Sequence, residues 1–424
     1  MKKYINRILQ ESTITQDNSN SRPALLGLTR ATTNLIYQGI VASQATNLPQ
    51  AALYGVKYLT PEKELSFVSP ATYSGQYGLK DRKSMTEVTV ANMGTVTKGE
   101  LFIVSKTVFK AIKDTPFTGI TATDINDALL EAIANETIRI APEAAITEKF
   151  EASEPDIAES GFIVNKWQAD VKSRKFKTEL TVELAQDMEA VGFDAPAFLE
   201  DLLATQMAEE INKDIIQSLT TVSKRFKTEG KLSKGIFDLS TISVAVEQAR
   251  ELYRYICEMN AIIQKETAYS ATYVVATARV AAVLASSGWL KKEPNQQASV
   301  YGVLENGLIV YVDTTSNVDY VVVGVKADYG SNEMVGSLFY APYIETKSQE
   351  SDDVDHVGAY KIINDPDSLQ PKIALLVRYA LCVNPYTMGL TDQEARVIDS
   401  TNLDNFVGQS KMSMILGIKL PKLV

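Results

Sequence analysis

The run FDAPAFLEDLLATQMAEEINKDIIQSLTTV, residues 193–222, repeats an apolar side chain every four positions at Leu199, Leu203, Met207, Ile211 and Ile215, and Leu202 and Leu219 widen the stripe. Glu209, Glu210, Lys213 and Asp214 fall on the other faces. Asp194 is placed to cap the run, and Pro196 lies in the first turn, where a missing N–H costs nothing. At about 1.5 Å per residue the spacing predicts a helix of roughly 35–40 Å. A stripe that long needs a sizeable body to cover it. With 424 residues, 45% of them hydrophobic and 22% charged, the chain is long enough for two or three domains with real cores.

The surroundings of this helix mix both element types, so the expected class is α+β. TVELAQDMEAVG before it reads as a short helix that Gly192 closes. After it VAVEQARELYRYICEMNAIIQKE and ARVAAVLASSG read as helices, while YSATYVVAT, LIVYVDTT, DYVVVGVKA, GSLFYAPYI and KIALLVRYALCV read as strands. SMILGIKLPKLV is an apolar strand that should return to the body of the protein. Toward the start, residues 12–23 form a polar arm, followed by a helix carrying Leu28, Leu35, Ile36 and Ile40. LYGVKYLT and NKWQADVKSRKFKTELT look like two strands of a long hairpin opened at its tip to receive a small domain. That insertion, residues 66–150, is expected to contain strands in TYSGQYGL and KGELFIVSKTVFKAIKD and a helix with Ile125, Leu129 and Ile133 in register.

Most familiar chemistry is disfavoured. No apolar run reaches the eighteen or so residues of a membrane-spanning helix, and no secretory h-region is expected. A net charge of −10 and a pI near 5.0 oppose general affinity for nucleic acid, because carboxylates repel phosphates. Cys257 and Cys382 lie in apolar runs without C-x-x-C spacing and read as buried thiols. His356, the single histidine, sits among aspartates in QESDDVDHVG, which reads as a solvated loop more readily than a divalent-ion site. Phosphate, dinucleotide, serine-hydrolase and metalloprotease signatures are missing. Carboxylate pairs such as Glu209 with Glu210 and Asp352 with Asp353 read as solvated faces. No catalytic, cofactor-binding or metal residue is assigned.

Long stretches carry a resemblance. VKSRKFKTELTVELAQDMEAVGFDAPAFLEDLLATQMAEEINKDI, GSLFYAPYI, LQPKIALLVRYALCVNPYTMG, RPALLGLTRATTNLIY and LGIKLPK together resemble the capsid proteins of T-even-like tailed bacteriophages, across almost the whole chain. The length and the short polar start point to the pentamer-forming branch of that family, with the hexamer-forming major capsid branch as the alternative. The resemblance implies the tailed-phage capsid fold of the HK-97 type with an inserted small β-rich domain, and no enzyme activity or cofactor. It implies an N-terminal arm at 12–50, E-loop strands at 51–65 and 160–181, and an insertion at 66–150 similar to chitin-binding modules. It further implies a peripheral domain at 182–239 with the long helix as spine, an axial domain at 240–385, and a return to the peripheral domain at 386–424.

The same resemblance implies trimming by a prohead protease that cuts after Glu in a Leu or Ile, any residue, Glu pattern. Leu9-Gln10-Glu11 fits, so residues 1–11 would be a propeptide and Ser12 the mature start. LLE at 129–131, ITE at 146–148 and ICE at 256–258 also fit, and position in a loose polar segment favours the first. Removing three cations and one acid makes the chain still more acidic. Lys2, Lys3 and Arg7, interleaved with Ile5, Ile8 and Leu9, are expected to tether the precursor to an acidic scaffold core or a membrane-associated initiator. Expected partners are therefore a homo-pentamer, major capsid protein hexamers, the scaffold and the protease, in the host cytoplasm and then the virion, with neither specific nucleic-acid binding nor integral membrane association. A rival reading is a glycosidase or a carbohydrate-binding protein using Tyr73, Tyr77, Phe102 and Phe109 as stacking platforms, although in so small a domain such aromatics are more often core or interface.

Overall fold

The computed structural model describes residues 36–59, 65–66, 75–120, 124–142, 144–151, 155, 157–159, 161–179, 181–183, 186, 195–228, 230, 232–242, 244–292, 300–329, 333–343, 359–364, 371–384, 398–399 and 403–421. Residues 35–424 form one compact unit, and the unit 1–34 lies outside the described residues. The class is α+β, as expected.

The expected long helix runs over Ala195–Val222, 28 residues, which at about 1.5 Å each is roughly 42 Å. Leu203, Met207, Ile211, Ile215 and Leu219 are buried, as their four-residue spacing requires. Each such side chain contributes at most about 1.5–3 kcal/mol by leaving water. Leu202 does not widen the stripe. It is 40% exposed, because its position is turned away from the row that meets the sheets.

The stripe packs on one side of an eight-stranded sheet ordered 223–225, 410–419, 320–324, 273–277, 309–313, 300–304 and 290–291, with 236–238 also on 410–419. Tyr273–Thr277 and Tyr320–Gly324 are buried at every position. Alternate side chains of a strand point to opposite faces, and here both faces are covered. Val275, Val322 and Ile415 meet the long helix. Val274, Ala276, Val321, Val323, Met414 and Leu416 meet Leu252, Ile256 and Met259 of the helix Ala245–Thr267, with Val280 and Leu284 of the helix Ala278–Ala285. This explains why YVVAT and YVVVG are continuously apolar instead of alternating. Tyr273–Thr277 pairs in parallel with Ile309–Asp313, and Ala278–Ala285 lies in the crossover such a pair requires. Gly324 stands opposite Tyr273, where a Cβ would overlap the tyrosine hydroxyl, so only glycine fits.

Ser410–Lys419 lies inside this sheet, between 320–324 and the short strands 223–225 and 236–238. The strand therefore pairs directly with 320–324. Its burial on both faces supplies the reason, since Met412, Met414, Leu416 and Ile418 fill one core and Ile415 the other. The strands within 240–385 contribute to more than one sheet. Leu338–Pro342, Ala359–Asn364 and Pro371–Val383 leave the large sheet and join Ala42–Ser43 and Lys172–Glu179 in a five-stranded one.

The hairpin is present. Gln50–Leu59 pairs antiparallel with Gly161–Asp170 in unbroken register from Gln50 opposite Asp170 to Leu59 opposite Gly161, so everything between 59 and 161 is inserted at its tip. The expected strand over 160–181 changes partner at Val171, and Lys172–Glu179 pairs with Pro371–Val383. Within the insertion, four strands at Thr86–Glu87, Leu101–Val104, Thr107–Ala111 and Ile138–Ile140 and the helix Ile125–Ala134 enclose a separate core around Phe102, Phe109 and Phe117. The turn Ser105–Lys106 has positive φ at both residues, 47° and 72°, the conformation that joins two strands across a two-residue loop. Buried Arg82 holds that turn by donating to the Lys106 carbonyl at 2.8 Å.

Two local expectations differ here. Ile133 is exposed, and the insertion helix buries Ala128, Leu129 and Ala132, because the small alanines allow close approach to the strands. The expected strand TYSGQYGL has no strand at 75–78, and Leu79 instead opens the helix Leu79–Ser84, with Asp81 in its first turn and Arg82 and Lys83 in its last, as the helix dipole favours. Of the predicted N-terminal helix only Tyr37–Ile40 falls among the described residues. The predicted helix closed by Gly192 lies outside them apart from 181–183 and 186.

Candidate functional site

The expected cleavage residues Leu9, Glu11 and Ser12 lie outside the described residues, as do His356, Asp352, Asp353 and Tyr73. Of the competing cleavage tripeptides, 129–131 and 256–258 sit within helices, with Leu129 and Ile256 buried. The tripeptide at 146–148 is exposed, so composition understated its accessibility. Among the described residues no group of three or more His, Cys, Asp or Glu is arranged to hold a metal ion. No helix there is long and apolar enough to cross a membrane.

Phe102 and Phe109 are core residues. Their rings stack at 5.7 Å in the insertion, and Phe117 meets Phe102 edge-on at 5.9 Å. They offer no platform to a sugar. Tyr77 is half-buried, and its carbonyl accepts from the Arg82 Nε–H at 3.0 Å. Cys382 is buried as expected, but Cys257 is only half-buried, with the Asn306 amide 3.5 Å from its Sγ. Beside it, burial first and the thiol next push the Tyr253 phenol up to about 12.

What the fold does expose is the hairpin. At its base Ala51, Trp167 and Ala169 are buried against Ala341, Ala380 and Cys382 of the five-stranded sheet. Further out the even-numbered face carries Tyr54, Phe162 and Val164, and Phe162 is 70% exposed. Lys166 lies opposite Tyr54 with its ammonium 5.8 Å from the ring centroid. Water-facing apolar side chains on so long a projection suit contact with another surface. The sequence signal for them was present in the alternation LYGVKYL and GFIVNKW, but nothing in it says which face remains uncovered.

The hairpin continues into a polar junction that fixes its base. Arg174, three residues past Val171, donates through Nε to the Tyr379 hydroxyl at 2.7 Å and pairs with Glu210 at 2.7 Å and Asp214 at 3.2 Å. Tyr379 in turn donates to Asp214 at 2.6 Å. Burial, with the nearby Asp214 carboxylate, raises the Tyr379 phenol above its ordinary range. Burial works against the Arg174 charge, yet the bonds to Tyr379 and Asp214 outweigh it and hold the guanidinium more firmly protonated. One side chain thus joins strand, sheet and long helix. Glu209, the other half of the expected carboxylate pair, is exposed and solvated.

Comparison with known proteins identifies the family. The family model described as major capsid protein Gp23 matches residues 18–418. The capsid vertex proteins of Enterobacteria phage T4 and Escherichia phage AR1 are each 54% identical to this chain, covering 99% of both partners. The major capsid protein of phage T4 is 25% identical, covering 89% of this chain and 78% of its own. Among solved structures, the capsid of Myoviridae phage XM1 is 9% identical with a TM-score of 0.40, covering 94% of this chain and 97% of that one. The match over 18–418 and the identity to two full-length relatives lead to one conclusion: this chain belongs to the major capsid protein Gp23 family.

Proposed function

We propose that this chain is a structural protein of the tailed-phage head that forms the pentameric vertices of the shell. The observation that carries the reading is the 54% identity over 99% of the chain to capsid vertex proteins, about twice that to the major capsid protein of the same phage. The fold is read as the HK-97 type. The hairpin at 50–59 and 161–170 is its E-loop, the core of 88–138 its inserted domain, and the helix Ala195–Val222 its spine. The work of the molecule is association between copies, and no substrate turnover is assigned.

A ring of five copies closes through head-to-tail contacts, so one surface of each subunit complements a different surface of the next. Interfaces of that kind bury about 1,200–2,000 Å² in total, and a projecting hairpin with exposed Tyr54, Phe162 and Val164 supplies apolar area beyond the compact body. Major capsid protein hexamers surround the ring. An internal scaffold and a prohead protease act before maturation, with cleavage after Glu11 leaving Ser12 as the first residue.

The test is mass spectrometry of purified virions with labelling of this chain in electron micrographs. Label at the vertices and a first residue at Ser12 are expected. Label spread over the hexameric faces would transfer the chain to the major capsid role, and an intact Met1 in mature heads would remove the processing step.

A further inference from the structure

The long helix ends at Val222, and the chain then follows the edge of the eight-stranded sheet in two pieces, Ser223–Arg225 and Ile236–Asp238, both parallel to Ser410–Lys419. Residues 226–235 leave the edge between them and return to it. At the neck the Phe226 N–H donates to the Ile415 carbonyl at 3.0 Å, and the Gly417 N–H donates to the Gly235 carbonyl at 3.1 Å. Phe226, Leu232 and Phe237 are buried in the core beneath, so the excursion is a compact loop pinned by its own side chains. Gly235 has a φ of 69°, and a Cβ there would stand 3.2 Å from the Phe226 carbonyl oxygen, so glycine lets the neck close.

Residues 223–235, SKRFKTEGKLSKG, carry five cations and one acid in a chain of net charge −10. Glu229 and Lys231 lie outside the described residues. Lys224 is taken by Glu266 at 2.7 Å. Arg225, Lys227 and Lys234 are exposed, and no carboxylate pairs with them among the described residues. The stems of Arg225 and Lys227 both pass 3.7 Å from the point where a Gly235 Cβ would stand, which brings their charges to one side of the neck. Like charges held side by side repel, and a bound anion relieves that repulsion.

The register places an apolar side chain beside them. Arg225 stands opposite Ile415 and Ile236 opposite Gly417, two positions apart on one strand, so Arg225 and Ile236 share a face about 7 Å apart. Ile236 is 49% exposed. Asp238, the next carboxylate along this face, is held by Lys419 at 2.6 Å and does not compete for Arg225. A phosphodiester backbone gains nothing from Ile236, and the buried rings of Phe226 and Phe237 leave bases nothing to stack on. The net charge of −10 also repels a long polyanion. A short acidic peptide with an aliphatic side chain meets both features. Ile236–Asp238 pairs on one side only among the described residues, which suits addition of an extended segment, and in such a segment side chains two apart repeat at the same spacing of about 7 Å.

We propose that Arg225, Lys227 and Ile236 form a docking site for an extended acidic peptide of a partner protein, in which an acidic and an aliphatic residue two positions apart meet Arg225 and Ile236. Lys227 and Lys234 attract the flanking carboxylates. The site does not depend on the assembly function proposed above.

The experiment uses the purified full chain and a fluorescein-labelled oligoglutamate peptide with one central isoleucine, followed by fluorescence anisotropy at low and high salt. Saturable binding that weakens with salt is expected, since the charges are exposed. Arg225→Glu with Lys227→Glu is expected to weaken it about tenfold or more. Ile236→Ser, or serine in place of the peptide isoleucine, is expected to weaken it about threefold. Lys83→Glu with Lys98→Glu, at two exposed cations of the insertion, makes the same change in net charge and should leave binding within about twofold. In the unaltered chain, hydrogen exchange should slow at 225–227 and 234–238 when the peptide is added. Absence of saturable binding at low salt, an equal loss in both charge-reversed pairs, or protection away from this edge would each overturn the site. A short DNA duplex that binds more tightly than the peptide and needs the same cations would overturn the peptide as its occupant. None of these results bears on the vertex reading, which virion labelling decides separately.

Discussion

The hairpin and the large sheet are built from similarly apolar strands and use them in opposite ways. Tyr320–Gly324 is buried at every position between two layers of helix, while Gly161–Asp170 leaves Phe162 and Val164 in water. The difference lies in what the rest of the chain supplies. The long helix and the pair 245–267 and 278–285 cover the sheet, whereas the hairpin beyond Ala51, Trp167 and Ala169 is flanked along its edges by the two-residue strands Leu65–Ser66 and Ile398–Asp399 and keeps Phe162 and Val164 exposed. Apolar area in the first place stabilises the monomer, and in the second it is available to a neighbour.

That contrast breaks most severely at Val322, buried beneath the long helix. Val322→Asp places an unpaired charge in the core and is expected to cost more than about 4 kcal/mol, measured as insoluble protein with no cooperative melt. Phe102→Ala removes the centre of the insertion core, at about 3–5 kcal/mol. Because that core is a separate cluster, hydrogen exchange should accelerate within 88–138 and remain slow in 273–324. Exchange that rises equally in both would show the insertion to be coupled to the body.

Tyr379→Phe deletes the hydroxyl that bridges Arg174 and Asp214. Chemical denaturation should report a loss of about 1–2 kcal/mol, kept modest because Asp214 is partly solvated. A smaller effect follows from Lys419, whose ammonium donates to Asp238 at 2.6 Å and, with Ser240, holds that carboxyl below its ordinary pKa. The contribution is present above the ordinary carboxylate pKa and is lost as pH falls through the lowered one. In Lys419→Met the Asp238 titration, followed by NMR, should therefore move upward. Tyr54→Ser with Phe162→Ser should leave the melting temperature unchanged and abolish ring formation. A lowered melting temperature would instead make these side chains part of the monomer's own core.

Legibility in the sequence followed the range of the forces involved. The four-residue spacing from Leu203 to Leu219, the continuous runs YVVAT and YVVVG, and the hairpin opened to receive 66–150 were all visible, because period and run length depend on near neighbours. The partner change at Val171 was not. NKWQADVKSRKFKTELT reads as one strand, and only the competing edge of Pro371–Val383 divides it. Ser410–Lys419 illustrates the same limit, since an apolar strand announces burial without naming the sheet that takes it. The proposed contact surfaces were least legible, because exposed apolar and cationic side chains are recognised only once their covered neighbours are known.

The sequence by itself determined the long helices and the apolar strands, the acidic balance, and the lack of familiar catalytic signatures. The tertiary structure alone decided which face of each strand is covered, where 161–170 ends and 172–179 begins a new sheet, and that Arg225, Lys227, Tyr54 and Phe162 remain exposed. The physical reason is that local periodicity fixes the direction of a side chain relative to its own backbone, while burial depends on distant segments arriving against it.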